Sequence, residues 1–78
     1  MTGPILRLKQ AYRSGSGGWW VHVAYDEDGV EALKAAVPAP QRRWDKENER
    51  WWINDLAVPF ALRVIPSLEA YLKQGALL

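Results

Sequence analysis

The chain has 78 residues, 49% of them apolar and five of them tryptophan, with no cysteine and a formal net charge of +1. A domain of this length buries only about 60% of its unfolded surface, so its stability rests on a small aromatic-rich core. The missing cysteines exclude disulfides, thiolate nucleophiles and cysteine-ligated zinc. No stretch approaches the roughly 18 apolar residues of a membrane-spanning helix. Met1-Thr2-Gly3-Pro4 lacks the basic lead into an apolar segment that an export signal carries. The expectation is a soluble cytoplasmic protein without a membrane partner, folded as a single α+β domain over residues 1–78.

In chain order, residues 5–13 alternate with a period of two, which predicts a half-buried strand with Leu6, Leu8 and Tyr12 on one side and Arg7, Lys9 and Arg13 on the other. Ser14-Gly15-Ser16-Gly17-Gly18 is a flexible loop, and Trp19–Tyr25, rich in aromatic and β-branched residues, is a second strand. The short connection predicts an antiparallel hairpin. Asp26 is a suitable N-cap for a helix whose start collects Glu27, Asp28 and Glu31, where the helix dipole favours negative charge. Val30, Leu33 and Val37 form its apolar stripe, Gly29 weakens it slightly, and Pro38-Ala39-Pro40 ends it.

A second hairpin follows: a short strand closing at Trp44, a polar turn from Asp45 to Glu49, and the strand Arg50-Trp51-Trp52-Ile53. Asp55 is placed to cap the last helical stretch, Val58 to Gln74, in which Leu62, Ile65, Leu68 and Leu72 recur at helical spacing. Pro66 predicts a kink or two short helices. Gly75 suits a C-cap and residues 75–78 a loosely held tail. The order β-β-α-β-β-α implies an α+β fold: two antiparallel hairpins in one small sheet packed on one or two helices.

Alternation also sorts the faces. With Trp19, Val21, Val23 and Tyr25 turned toward the helices, Trp20, His22 and Ala24 face away. Trp44, Trp51 and Ile53 inside leave Arg43, Arg50 and Trp52 outside, and Leu6 and Leu8 inside leave Arg7 and Lys9 outside. The outer face then reads Arg7, Lys9, Trp20, His22, Arg43, Arg50 and Trp52, two indoles among cations with no carboxylate. That composition suits stacking of bases on aromatic rings with phosphates held by the cations. Local charge governs polyanion binding more than net charge does.

The residues Leu33-Lys34 followed by Pro38, then Arg43-Trp44-Asp45, Glu47, Trp51 and Ile53, carry a resemblance. The pattern is similar to the HARP-type accessory domain found beside annealing helicases, over roughly residues 20–56. The resemblance implies an auxiliary module that helps engage single-stranded or branched DNA. It implies no motor activity, and the chain has no Gly-rich phosphate loop ending in Lys-Ser/Thr.

Each functional reading has a plainer counterpart. Trp44 and Trp51 are expected in the core, as large aromatic rings usually are. Trp20 and Trp52 are covered for structural reasons if a helix, a partner protein or a second copy lies on them, and tryptophan and arginine also dominate protein–protein hot spots. His22 is a lone histidine without a neighbouring ligand set. Ser14 or Ser16 with His22 and Asp26 makes a catalytic triad only on paper, because a glycine-rich loop holds a nucleophile poorly. The acidic cluster after Tyr25 lacks the spacing of a calcium loop. No enzyme activity, cofactor or metal is expected.

Overall fold

The computed structural model describes residues 5–76. Four strands form one antiparallel sheet: β1 (Leu8–Arg13), β2 (Trp19–Val23), β3 (Arg42–Asp45) and β4 (Arg50–Ile53), in the spatial order β1-β2-β4-β3. The helices are α1 (Glu27–Ala36), α2 (Val58–Ala61) and α3 (Leu68–Ala76), with single 3-10 turns at Ala39–Gln41 and Asp55–Ala57. This is a small α+β fold of two hairpins, joined along their inner strands.

One face of the sheet carries the core. Trp19, Val21, Trp51 and Ile53 from the central strands pack with Leu33 of α1, its C-cap Val37, Ala61 of α2 and Leu68 of α3. Apolar burial contributes roughly 1.5–3 kcal/mol per large side chain. The fully buried Leu6, Val21, Leu33, Val37, Ile53, Ile65 and Leu68 therefore carry much of the fold.

Local signals place α1 where the sequence puts it. Asp26 is extended and its carboxylate accepts from the Gly29 backbone N–H at 2.7 Å, satisfying one of the helix's orphan donors. Gly29 does more than weaken the helix: a Cβ there would lie 2.6 Å from Leu6 Cδ2, so its lack of a side chain lets Leu6 pack against α1. The last helical stretch is broken around Pro66 into α2 and α3, as a missing backbone donor requires.

Several expectations need correction. The first strand begins at Leu8 and is interrupted by a register shift between Leu8 and Gln10. Leu8 and Ala11 pack toward the core, while Tyr12, paired with Trp20, lies on the outer face rather than with Leu8. Arg13, expected outside, instead pairs with Trp19, the guanidinium 5.5 Å from the indole centre. Tyr25 lies beyond β2 and is 81% exposed, and Trp44, on the core-facing side of edge strand β3, is 46% exposed. Asn54, not Asp55, caps the following turn, accepting from Leu56 N. Gly75 lies inside α3 and is no C-cap; of the expected 75–78 tail, Gly75 and Ala76 continue the helix and 77–78 lie outside the described residues.

Asp55 is used elsewhere. Its carboxylate pairs with Arg13 and accepts from Gly18 N at 3.1 Å, pinning the loop between β1 and β2. Gly18 has φ +80°, and a Cβ there would sit 2.5 Å from Trp52 Nε1 and 2.6 Å from the Ile53 carbonyl oxygen. Left-handed backbone costs a non-glycine residue roughly 1–2 kcal/mol, and overpacking adds roughly 1–3 kcal/mol. Gly18→Ala is therefore expected to lower unfolding free energy by at least about 2 kcal/mol. Urea denaturation checks this, and an unchanged midpoint would mean that the loop does not close over Trp52.

Candidate nucleic-acid interface

The side of the sheet turned away from the helices is organised by strand register. Tyr12 pairs with Trp20, Trp20 with Trp52, and Trp52 with Arg43. These four side chains form one row across all four strands, because directly paired residues share a face. A second row contains Gln10 opposite His22 and Arg50 opposite Asp45.

Arg50 ties the rows together. Its guanidinium carbon lies 3.6 Å from the centre of the Trp20 ring, a close cation–π contact. Its Nε donates to Asp45 Oδ2 at 2.7 Å and its Nη1 to the Tyr12 hydroxyl at 3.0 Å. Tyr12 Oη in turn lies 2.8 Å from His22 Nε2. Arginine only donates, so Tyr12 accepts from Arg50 and keeps its own proton to offer the imidazole. The Arg50 side chain thus starts on β4, pairs with β3, passes over β2 and reaches β1.

Trp52 is fixed from the other end. Its indole Nε1 donates to the Gly17 carbonyl at 2.8 Å, and the Arg43 guanidinium sits 5.6 Å from the ring centre. Trp20, His22, Arg50 and Trp52 are all half-buried, while Arg43 is exposed.

The electrostatics follow from these contacts. Hydrogen bonds from the Asn48 side chain and from Arg50 hold the Asp45 carboxyl at about 2. Bonding to Asp45, and then to Tyr12, holds the Arg50 guanidinium more firmly in its charged form. The Asp55 carboxyl is also pulled down, first by Arg13 and then by the Gly18 N–H.

The seven residues expected on this face separate into two groups. Trp20, His22, Arg43, Arg50 and Trp52 are brought together. Arg7 precedes β1 and reaches the sheet only through its carbonyl, which accepts from Ala24 N at 2.9 Å. Lys9 lies at the register shift and shares with His22 a cleft of about 380 Å³ at the end of the sheet. Neither Arg7 nor Lys9 forms an ion pair among the described residues.

Two members of the face were missed by the alternation argument. An unbroken strand places Tyr12 inward with Leu8, and a bulge leaves no clear mark in the sequence. Asp45 corrects the expected absence of carboxylates: it belongs to β3, not the turn, and neutralises Arg50. Its signal was available in the six-residue span from Asp45 to Arg50, which a tight hairpin closes into a cross-strand pair.

The array can offer planar surfaces for stacking and one cation without an acidic partner among the described residues, Arg43, while Arg7 and Lys9, also without ion pairs, lie outside it. Among the described residues there is no group of three or more side chains suited to a metal ion, and no helix is long and apolar enough to cross a membrane.

The Asp45 contacts carry a pH dependence. A free aspartate titrates near about 3.9, and Asp45 in the fold at about 2. Its contribution is complete above the unfolded value and disappears as pH falls through the folded one. Asp55, shifted the same way, adds to this window. Stability should fall between pH 5 and pH 2 (about 3.9 and 2 being the two limits), and Asp45→Asn should flatten part of that fall. Urea midpoints across the range check this, and parallel curves for the two proteins would remove Asp45 from the account.

Compared with known proteins, the chain matches no protein-family model, no curated protein and no solved structure at a significant level.

Proposed function

We propose that this protein is a nucleic-acid-binding module that engages single-stranded or branched DNA on the outer face of its sheet. The observation that supports the reading best is the pair of guanidinium–indole contacts, Arg50 on Trp20 and Arg43 on Trp52, set side by side by the pairing of Trp20 with Trp52. Unpaired bases stack on indole rings and on guanidinium planes alike. Arg43, Lys9 and Arg7 would supply the phosphate contacts. Of the residues that carry the HARP-type resemblance, Arg43-Trp44-Asp45, Trp51 and Ile53 fall on the β3–β4 hairpin and Leu33-Lys34 on α1, and the resemblance points to the same substrate class.

A protein-interaction role is the second reading, and Asp45 favours it. By neutralising Arg50 it leaves the face less cationic than a groove built to track a phosphate backbone, while Trp20, Trp52 and Arg50 remain suitable anchors for a partner protein or a second copy.

Salt dependence separates the two. With three unpaired cations contacting single-stranded DNA, log K should fall with log salt with a slope of about −2, roughly a twentyfold loss between 50 and 200 mM. Single-stranded and forked oligonucleotides should bind more tightly than blunt duplex. Arg43→Glu, a change at an exposed position, should weaken binding at least about tenfold and make the slope shallower by roughly one. Fluorescence anisotropy titrations at the two salt concentrations check this. No binding at 50 mM, together with a concentration-dependent dimer in light scattering, would transfer the face to protein recognition.

A further inference from the structure

A groove on the opposite side of β3 shares Arg43, but no other residue, with the outer-face array. It lies between α1 and the β3 edge, with a volume of about 470 Å³, within the roughly 300–1,000 Å³ typical of small-ligand sites. Trp51 forms its floor and Trp44 its wall, the two rings 5.1 Å apart and tilted by 51°. Tyr25 stands at its mouth, and Val30 and Lys34 of α1 close the other side. The arrangement explains why Trp44 can face the core side of the sheet and yet remain 46% exposed.

The rim is cationic. Arg42 donates through Nε to the Val37 carbonyl at 2.9 Å, which anchors its guanidinium beside the groove and leaves the terminal nitrogens available. Lys34 is exposed and only loosely paired with Glu31, at 3.7 Å. No carboxylate lines the groove among the described residues. Apolar aromatic walls under a positive rim complement a flat, neutral ring attached to a phosphate, and β3 connects the two faces directly. Arg43 points to the outer face, and Arg42 and Trp44 on either side of it point to the groove.

We propose that this groove takes one unpaired nucleobase, stacked on Trp44, with its neighbouring phosphate held by Arg42 and Lys34. The proposal rests on the nucleic-acid reading and deepens it: a strand lying across Trp52 and Arg43 turns over the β3 edge, and one splayed-out base is captured behind it. Such capture needs a base free of its complement, which gives the protein a physical basis for preferring single strands and forks to duplex.

The test scans a single abasic site along a single-stranded oligonucleotide, measuring affinity for wild type, Trp44→Ala and Lys34→Glu, each confirmed as folded by circular dichroism. In wild type, an abasic site at one position should cost about tenfold or more, in keeping with the usual strength of base–aromatic stacking. In Trp44→Ala the intact oligonucleotide should bind with that same reduced affinity and show no further abasic penalty, the coupling expected of two groups in contact. Lys34→Glu, on the exposed side of α1, should weaken binding while preserving the abasic penalty, and it keeps the test open should Trp44→Ala fail to fold. A flat abasic scan in a wild type that binds DNA overturns the groove and leaves the outer-face reading standing. A wild type that binds no oligonucleotide overturns both. Displacement of the Trp44-dependent component by polyglutamate would assign the groove to an acidic peptide and overturn the proposal as well.

Discussion

Strands β2 and β4 form the interior of the sheet, and each places tryptophan on both of its faces. Their pairing sets Trp20 opposite Trp52 and Val21 opposite Trp51. Side chains alternate with a period of two, so this register sends Trp19, Val21, Trp51 and Ile53 into the core and Trp20 and Trp52 to the other side. A slip of one residue in either strand would exchange a buried indole for an exposed one and leave core volume unfilled. Both the core and the outer array depend on this one alignment.

Arg50 reinforces the register from outside. Its contacts run to Asp45 on β3, Trp20 on β2 and Tyr12 on β1, so a single side chain spans the sheet. Isolated surface ion pairs contribute little, because two long side chains must be ordered in water. Arg50 and Asp45 differ from that case: their side chains are only 22% and 19% exposed, against 54% and 49% for Arg13 and Asp55, and the guanidinium is already immobilised against an indole. Order needed for stability is thus available for recognition, since a pre-positioned stacking surface loses little further entropy when a ligand arrives.

The β3–β4 hairpin brings the two candidate surfaces within one strand of each other. As an edge strand, β3 has one side without a partner among the described residues, and its four residues alternate Arg42 and Trp44 toward the helices with Arg43 and Asp45 toward the outer face. Charged side chains on an edge also guard against unwanted strand pairing, so Arg42 and Arg43 have a structural use independent of any ligand. The indole of Trp44 has no such explanation, because α1 does not cover it.

Much of the fold was legible in the chain itself, because the determining signals are local. Period-two alternation marked the strands, Asp26 and the apolar stripe through Leu33 and Val37 marked α1, and Pro66 marked the break in the C-terminal helical stretch. The same alternation placed Trp20, His22, Arg43, Arg50 and Trp52 on one face. Features that depend on non-local geometry were not legible: the bulge that turns Tyr12 outward, the capture of Asp55 by Arg13 and Gly18, and the reach of Arg50 across three neighbouring strands. Exposure of Trp44 belongs with them, since whether an inward-pointing ring is buried depends on where a helix from another part of the chain comes to rest. The sequence by itself determined which residues share a face wherever a strand runs without a bulge, because that follows from backbone periodicity. Only the tertiary structure decided which of them touch and which remain uncovered, because that depends on register shifts and helix placement, which arise from packing the whole chain at once.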